Sequence, residues 1–210
     1  TTTNQMDSVQ AAGTATKCIG CLCSLACCAA QVTFIVYLGI FAFNNPDMEA
    51  WYGKQADGEG TLFAQESDAT VTGDTELEDI HGKFVLWFMW GFIVSLAPCA
   101  AAPIMAIANC IHETVAKVLG GIISCGIGCG GLAWWISGIV WRFKASGSFA
   151  SGDSLTAEQL TTEEADADTL YQIKSGNFML IYYLIVWGLM ACSILSSMIG
   201  LLVTCCTKSD

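Results

Sequence analysis

The sequence predicts an all-α membrane fold: a four-transmembrane-helix bundle of up-down order, with two acidic loops on one membrane face. Three observations predict it. Hydrophobic residues make up 54% of the 210 residues and charged residues only 13%, about half the charged share of a soluble domain. Four runs, 18–46, 84–112, 118–141 and 175–207, contain no Asp, Glu, Lys or Arg. Each exceeds the roughly 20 residues a helix needs to cross the hydrocarbon core. The charge is also confined. Segment 44–83 holds ten acids against Lys54 and Lys83, and segment 142–177 holds six against Arg142, Lys144 and Lys174, so these two stretches carry the whole net charge of −11. Such a chain is not a secreted disulfide scaffold, a nucleic-acid binder or a soluble enzyme. Its acidic face repels nucleic acid and anionic headgroups.

The elements follow in order. Residues 1–17 form a polar Thr/Gln/Ala-rich tail without the charged-then-apolar layout of a signal peptide. The membrane domain covers 18–207. Its spans are expected at about 19–43, 84–107, 115–141 and 178–203, with a short turn at 109–113 between the second and third. Pro98 and Pro103 are expected to kink the second span. Trp87 and Trp90, then Trp134, Trp135 and Trp141, then Tyr182, Tyr183 and Trp187 all fall at the acidic-loop ends of their spans. There an apolar ring and a polar tip are both satisfied, so they read as interfacial anchors.

Orientation rests on opposing signals. Lys17, Lys117 and Lys208 flank the spans on the short-turn side, and Lys83, Arg142, Lys144 and Lys174 on the long-loop side. That count favours cytosolic long loops. The first span, with Lys17 before it and Asp47 and Glu49 after it, favours cytosolic termini. So do the twelve cysteines, none of which lies in a long loop. Cytosolic termini are the reading adopted, in a multi-pass protein of the plasma membrane or an endomembrane. Cys18, Cys21, Cys23, Cys205 and Cys206 then sit at the cytosolic interface, where S-acylation (palmitoylation) occurs. The bland alternative is that cysteine is a small, soft packing residue.

Motifs that imitate chemistry do not survive their context. Gly126–Gly131 fits G-x-G-x-x-G but lies inside an apolar run with no preceding strand. His112-Glu113 opens like H-E-x-x-H, yet position 116 is Ala. The Cys18/Cys21 spacing lacks a second pair to close a zinc site. Asp74–Asp79 lacks the glycine and ligand spacing of a calcium loop. No cofactor or metal ligand set is recognisable, and no catalytic residue is assigned. The span midplanes hold no Asp, Glu, Lys or Arg, which argues against a proton-coupled transporter or a voltage sensor.

Small residues recur at four-residue spacing. The third span carries Gly120, Ser124 and Gly128, with a second row at Gly121, Cys125, Cys129 and Ala133; the fourth carries Gly188, Cys192, Ser196 and Gly200. In lipid, helices associate through close backbone approach and dispersion rather than a hydrophobic gain. These rows are the candidate helix-packing and self-association surfaces.

Four spans, cytosolic termini, a tiny cytosolic turn and two outer loops resemble claudin and MARVEL-type tetraspan proteins. Leu132–Phe143 (LAWWISGIVWRF) is similar to the end of the third span in small uncharacterised tetraspan proteins of protists. Trp51 is not followed by the claudin G-L-W pattern, the first loop holds no cysteine pair, and the tetraspanin CCG motif is missing. The resemblance covers topology and about a dozen residues. It implies a structural or scaffolding role and brings no site residue with it. The expected function is a non-enzymatic, self-associating membrane protein that organises or shapes a bilayer. Its partners would be itself, lipid and other membrane proteins. The alternatives are a channel-forming or auxiliary channel subunit and an accessory subunit of a large membrane complex.

Overall fold

The structure is a computed structural model that describes residues 28–54, 59–68, 77–166 and 168–207. It is mostly helical. Helix α1 (Cys28–Phe43) leads into strands β1 (Trp51–Lys54) and β2 (Gly60–Phe63), a 3-10 turn (Glu66–Asp68) and β3 (Glu78–Asp79). Then come α2 (Ile80–Ile111), α3 (Glu113–Phe143), the short α4 (Ala145–Ala150) and α5 (Ala157–Ala165), and α6 (Ile173–Thr207). Three helices, α2, α3 and α6, are long and apolar enough to cross a membrane; α1 is a shorter apolar helix within the described residues.

The long segments differ from the expectation of loops in an all-α chain. The first holds a three-stranded antiparallel sheet, ordered β2-β1-β3, with Tyr52 opposite Leu62 on one side and Glu78 on the other. The second holds α4 and α5. The strands are two to four residues long, too short for a two-residue alternation to stand out from sequence. Helix α5 opens on a capping box in which Thr156 and Gln159 bond each other's backbone reciprocally. Gly152 carries the one positive φ among the described non-helical glycines, +79°, in the turn after α4, where a Cβ would be strained.

The helices also outrun the charge-free runs. Helix α2 starts at Ile80 because the Asp79 side chain accepts the Gly82 N–H at 2.7 Å and caps it. It continues through both Pro98 and Pro103. The expected turn at 109–113 shrinks to His112. Its backbone N–H closes α2 on Ala108 O, while its ring Nδ1 accepts the Thr114 N–H and caps α3.

Packing is uneven along the helices. Near the loop-bearing end, Phe41 of α1 stacks on Phe88 of α2 at 4.7 Å, and Phe34 stacks on Tyr182 of α6 at 5.1 Å. Leu38, Phe84, Trp87, Phe88, Met179 and Tyr183 are fully buried there. Towards the His112 end the described core thins to Ala108 and Ala116. Every residue of α6 from Trp187 to Ile199 is exposed, as is every residue of α1 from Cys28 to Thr33.

Candidate functional site

Two regions of opposite character compete for attention. The first is a polar clasp at the loop-bearing end. Arg142, in the last turn of α3, has a fully buried side chain. Its two terminal nitrogens donate to both Asp153 carboxylate oxygens at 2.7 and 2.8 Å, and Nε donates to Gly176 O at 2.9 Å. One residue thus ties α3, the turn after α4 and the start of α6. Ser148 Oγ adds a bond to Asp153 at 2.7 Å. Partial burial works against the Asp153 charge, but the Arg142 and Ser148 hydrogen bonds override it and hold the carboxyl below its ordinary value.

Glu78 of β3 is the second knot. It accepts from Lys83 at 2.6 Å, and from Lys144 and Ser146, each at 2.8 Å. Burial again opposes ionisation, yet the bonds from Lys144, Lys83 and Ser146 bring the carboxyl down from 4.5 to about 2. Gln172 is the third. Its Nε2 donates to Met48 O at 2.6 Å and to Leu170 O at 3.3 Å. Its Oε1, 3.0 Å from His81 Nδ1, is left to accept, so His81 carries its proton on Nδ1. Asp47 and Asn45, just past α1, accept from Ser175 N and Ser175 Oγ at 2.8 and 3.1 Å.

An aromatic layer lies directly beneath. Trp87 and Trp134 stack at 4.9 Å, and each indole N–H donates to the other's carbonyl, at 3.2 and 2.8 Å. Tyr183 Oη donates to Trp135 O at 2.8 Å. Gly138 and Gly91 make this possible. A Cβ at Gly138 would lie 2.1 Å from both Trp87 Nε1 and Tyr183 Oη, and one at Gly91 would lie 2.7 Å from the Trp134 ring.

The second region is the uncovered surface of α3. A Cβ on Gly121, Gly126, Gly128 or Gly130 would meet nothing within 4 Å, and the same holds for Gly188 of α6. Gly121 and Gly128 share one side of the helix and Gly126 and Gly130 the opposite side; Cys125 and Cys129, exposed, have their sulfurs 4.0 Å apart. The predicted row Gly120, Ser124, Gly128 is therefore split between two surroundings. A Cβ at Gly120 would lie 2.9 Å from the Met105 methyl of α2, whereas Ser124 is exposed and Gly128 is open. An oblique row of four-residue steps drifts around the helix, so its two ends serve different neighbours. On α6, Cys192 and Ser196 are exposed, and Ser196 Oγ is satisfied by Cys192 O at 2.8 Å. Gly200 falls within α6 with its surroundings outside the described residues, as do the side chains of Cys205 and Cys206. Cys18, Cys21 and Cys23 lie outside the described residues altogether.

Among the described residues no group of three or more His, Cys, Asp or Glu is placed to hold a metal ion. His81 and His112 serve as a network donor and a helix cap. No family model, curated protein or solved structure matches the chain. The Arg142 clasp and the Gly138 slot are the features sequence reading did not anticipate. Arg142 stood there as a flanking cation, although its place directly after Trp141 at a span end is the position where an interfacial Arg meets the loops.

Proposed function

We propose that the chain is a non-enzymatic, four-span membrane protein that self-associates laterally through α3 and α6 and organises the bilayer around it. The observation that carries this reading is the contrast among glycines. Where α3 packs in its own bundle, the space at its glycines is taken by Trp, Tyr, Val and Met side chains; at Gly121, Gly126, Gly128 and Gly130 it is open. A glycine inside a helix sacrifices about 1 kcal/mol against alanine. A run of glycines facing only fluid acyl chains gains nothing in return, whereas a second helix brought close across them gains dispersion contacts.

The four-span, up-down arrangement draws support from the clasp. The end of α1 meets the start of α6 through Asp47 and Ser175, and the start of α2 meets the end of α3 through Glu78 and Lys144. The first charge-free run begins at Cys18, ten residues before the described start of α1. Cytosolic termini rest on Lys17 ahead of the first span and on the absence of cysteine from both long segments. A Ser67→Cys protein in intact cells is expected to react with an impermeant maleimide from outside; labelling that requires permeabilisation reverses the orientation.

Self-association is tested by Gly128→Leu. In mild detergent the wild type is expected to elute as an oligomer and the variant as a folded monomer with an unchanged melting temperature. A wild type that is monomeric both there and in native membrane defeats the reading.

A further inference from the structure

A groove on the loop-bearing side adjoins the polar clasp but is not used by it. It encloses about 350 Å³, near the lower end of the range of small-molecule sites. Leu62 of β2, Phe149 of α4, Glu163 of α5, and Thr169, Leu170 and Tyr171 ahead of α6 line it, and all are partly buried. Two aromatic rings form its walls. Phe149 lies 6.0 Å from Tyr171 and 5.5 Å from Tyr52, so α4 wedges it between the sheet and the lead-in to α6. The carboxylate is held in place because Thr169 Oγ1 donates to Glu163. Among the described residues no cation is within ion-pair distance of Glu163, and Lys174, which shares a smaller neighbouring cavity with it, forms no pair with it. The Tyr171 phenol is pushed up, first by burial and then by the Glu163 charge, so the field of that carboxylate reaches the ring.

We infer that this groove binds a small organic ammonium ion, its charge set on the groove side of the Phe149 and Tyr171 rings and towards the Glu163 carboxylate. Aromatic faces attract a cation through their negative quadrupole, and a weakly hydrated alkylammonium gives up little solvation to reach them. A carboxylate in a groove that two aromatic rings also line, with Leu62 and Leu170 for methyl groups, matches that chemistry better than an anion or a hard metal ion. The chain's net charge of −11, concentrated in these two segments, raises the local cation concentration. The inference goes beyond self-association and does not depend on it.

The probe is choline, tested by calorimetry on the full chain in detergent, beside its uncharged carbon isostere 3,3-dimethylbutan-1-ol. Choline is expected to bind with a Kd on the order of 1 mM, well inside the ceiling for so small a ligand, and the isostere at least tenfold more weakly. Glu163→Gln keeps an acceptor for Thr169 and the same shape; it should weaken choline binding about tenfold at an unchanged melting temperature. Phe149→Leu keeps apolar volume and should also weaken it. Choline and the isostere binding alike, an unaltered Glu163→Gln, or no saturable choline binding overturns the inference. Discs of phosphatidylcholine and of phosphatidylglycerol separate the sources. Weaker free-choline binding in the former identifies the lipid headgroup as occupant, and equal binding identifies a soluble ammonium; both support the site.

Discussion

Gly138 and Gly128 stand ten residues apart on α3 in opposite surroundings. At Gly138 a missing side chain lets Trp87 and Tyr183 reach α3 and hydrogen-bond its carbonyls. At Gly128 the missing side chain leaves a smooth surface with nothing against it. The loop-bearing half of the molecule is held by large aromatic rings and charge-assisted bonds. The other half presents small and aliphatic side chains outward, with Ile122 and Leu132 beside the glycines of α3 and Leu189 and Ile194 beside Gly188 of α6. One helix therefore uses the same residue type for an internal slot and for an uncovered face, and spacing alone does not separate the two.

That contrast can be broken from its rigid side first. Arg142→Ala would leave the Asp153 charge and Gly176 O without their partner and a void where the guanidinium was. Removing one member of a buried pair costs several kcal/mol. Because Asp153 is 39% exposed, the low end of that range, about 3 kcal/mol, is expected. Thermal unfolding in detergent measures it, and a variant as stable as wild type would mean that Arg142 reaches solvent.

Gly138→Ala is the next largest. The new methyl would press on two side chains anchored by hydrogen bonds, with an expected loss of about 2 kcal/mol and weaker near-UV Trp circular dichroism. Alanine at Gly128 should instead leave monomer stability unchanged or slightly raised, since it lowers the helix cost. Equal losses at the two positions would erase the distinction between the halves.

The smallest effect concerns acid. The folded carboxyl of Glu78 titrates at about 2, below its ordinary 4.5, so its contribution is fully present above pH 4.5 and fades as pH falls towards 2. Asp153 is displaced in the same direction. Melting curves from neutral pH down to about 2 should therefore show falling stability for the wild type and a shallower fall for Glu78→Gln, which also starts lower because Lys83 and Lys144 lose their counter-charge. Identical slopes would show that Glu78 is not a knot of the clasp.

The Thr156-to-Gln159 capping box is legible in its spacing, and it marks α5 inside a segment expected to be a loop. The clasp could not. Gln172 meets His81 across 91 residues and Ser175 meets Asp47 across 128, and no local period records such pairings. The small sheet shares that difficulty, since its strands gain stability from each other and from Ala50 O accepting the Ile80 and His81 amides, not from an alternating apolar face.

By itself the sequence predicted four apolar spans; three of them are present as the long apolar helices α2, α3 and α6, within a few residues of the expected bounds and with the acidic segments at their ends. Those properties follow from transfer of each segment out of water, a cost summed along the chain residue by residue. Which glycines are filled, that Arg142 is buried, and that Glu78, Asp153 and Gln172 bind the helix ends together were decided by the tertiary structure. Each depends on the distance between side chains from separate elements, and Coulomb, hydrogen-bond and dispersion energies are set by that distance rather than by position in the chain.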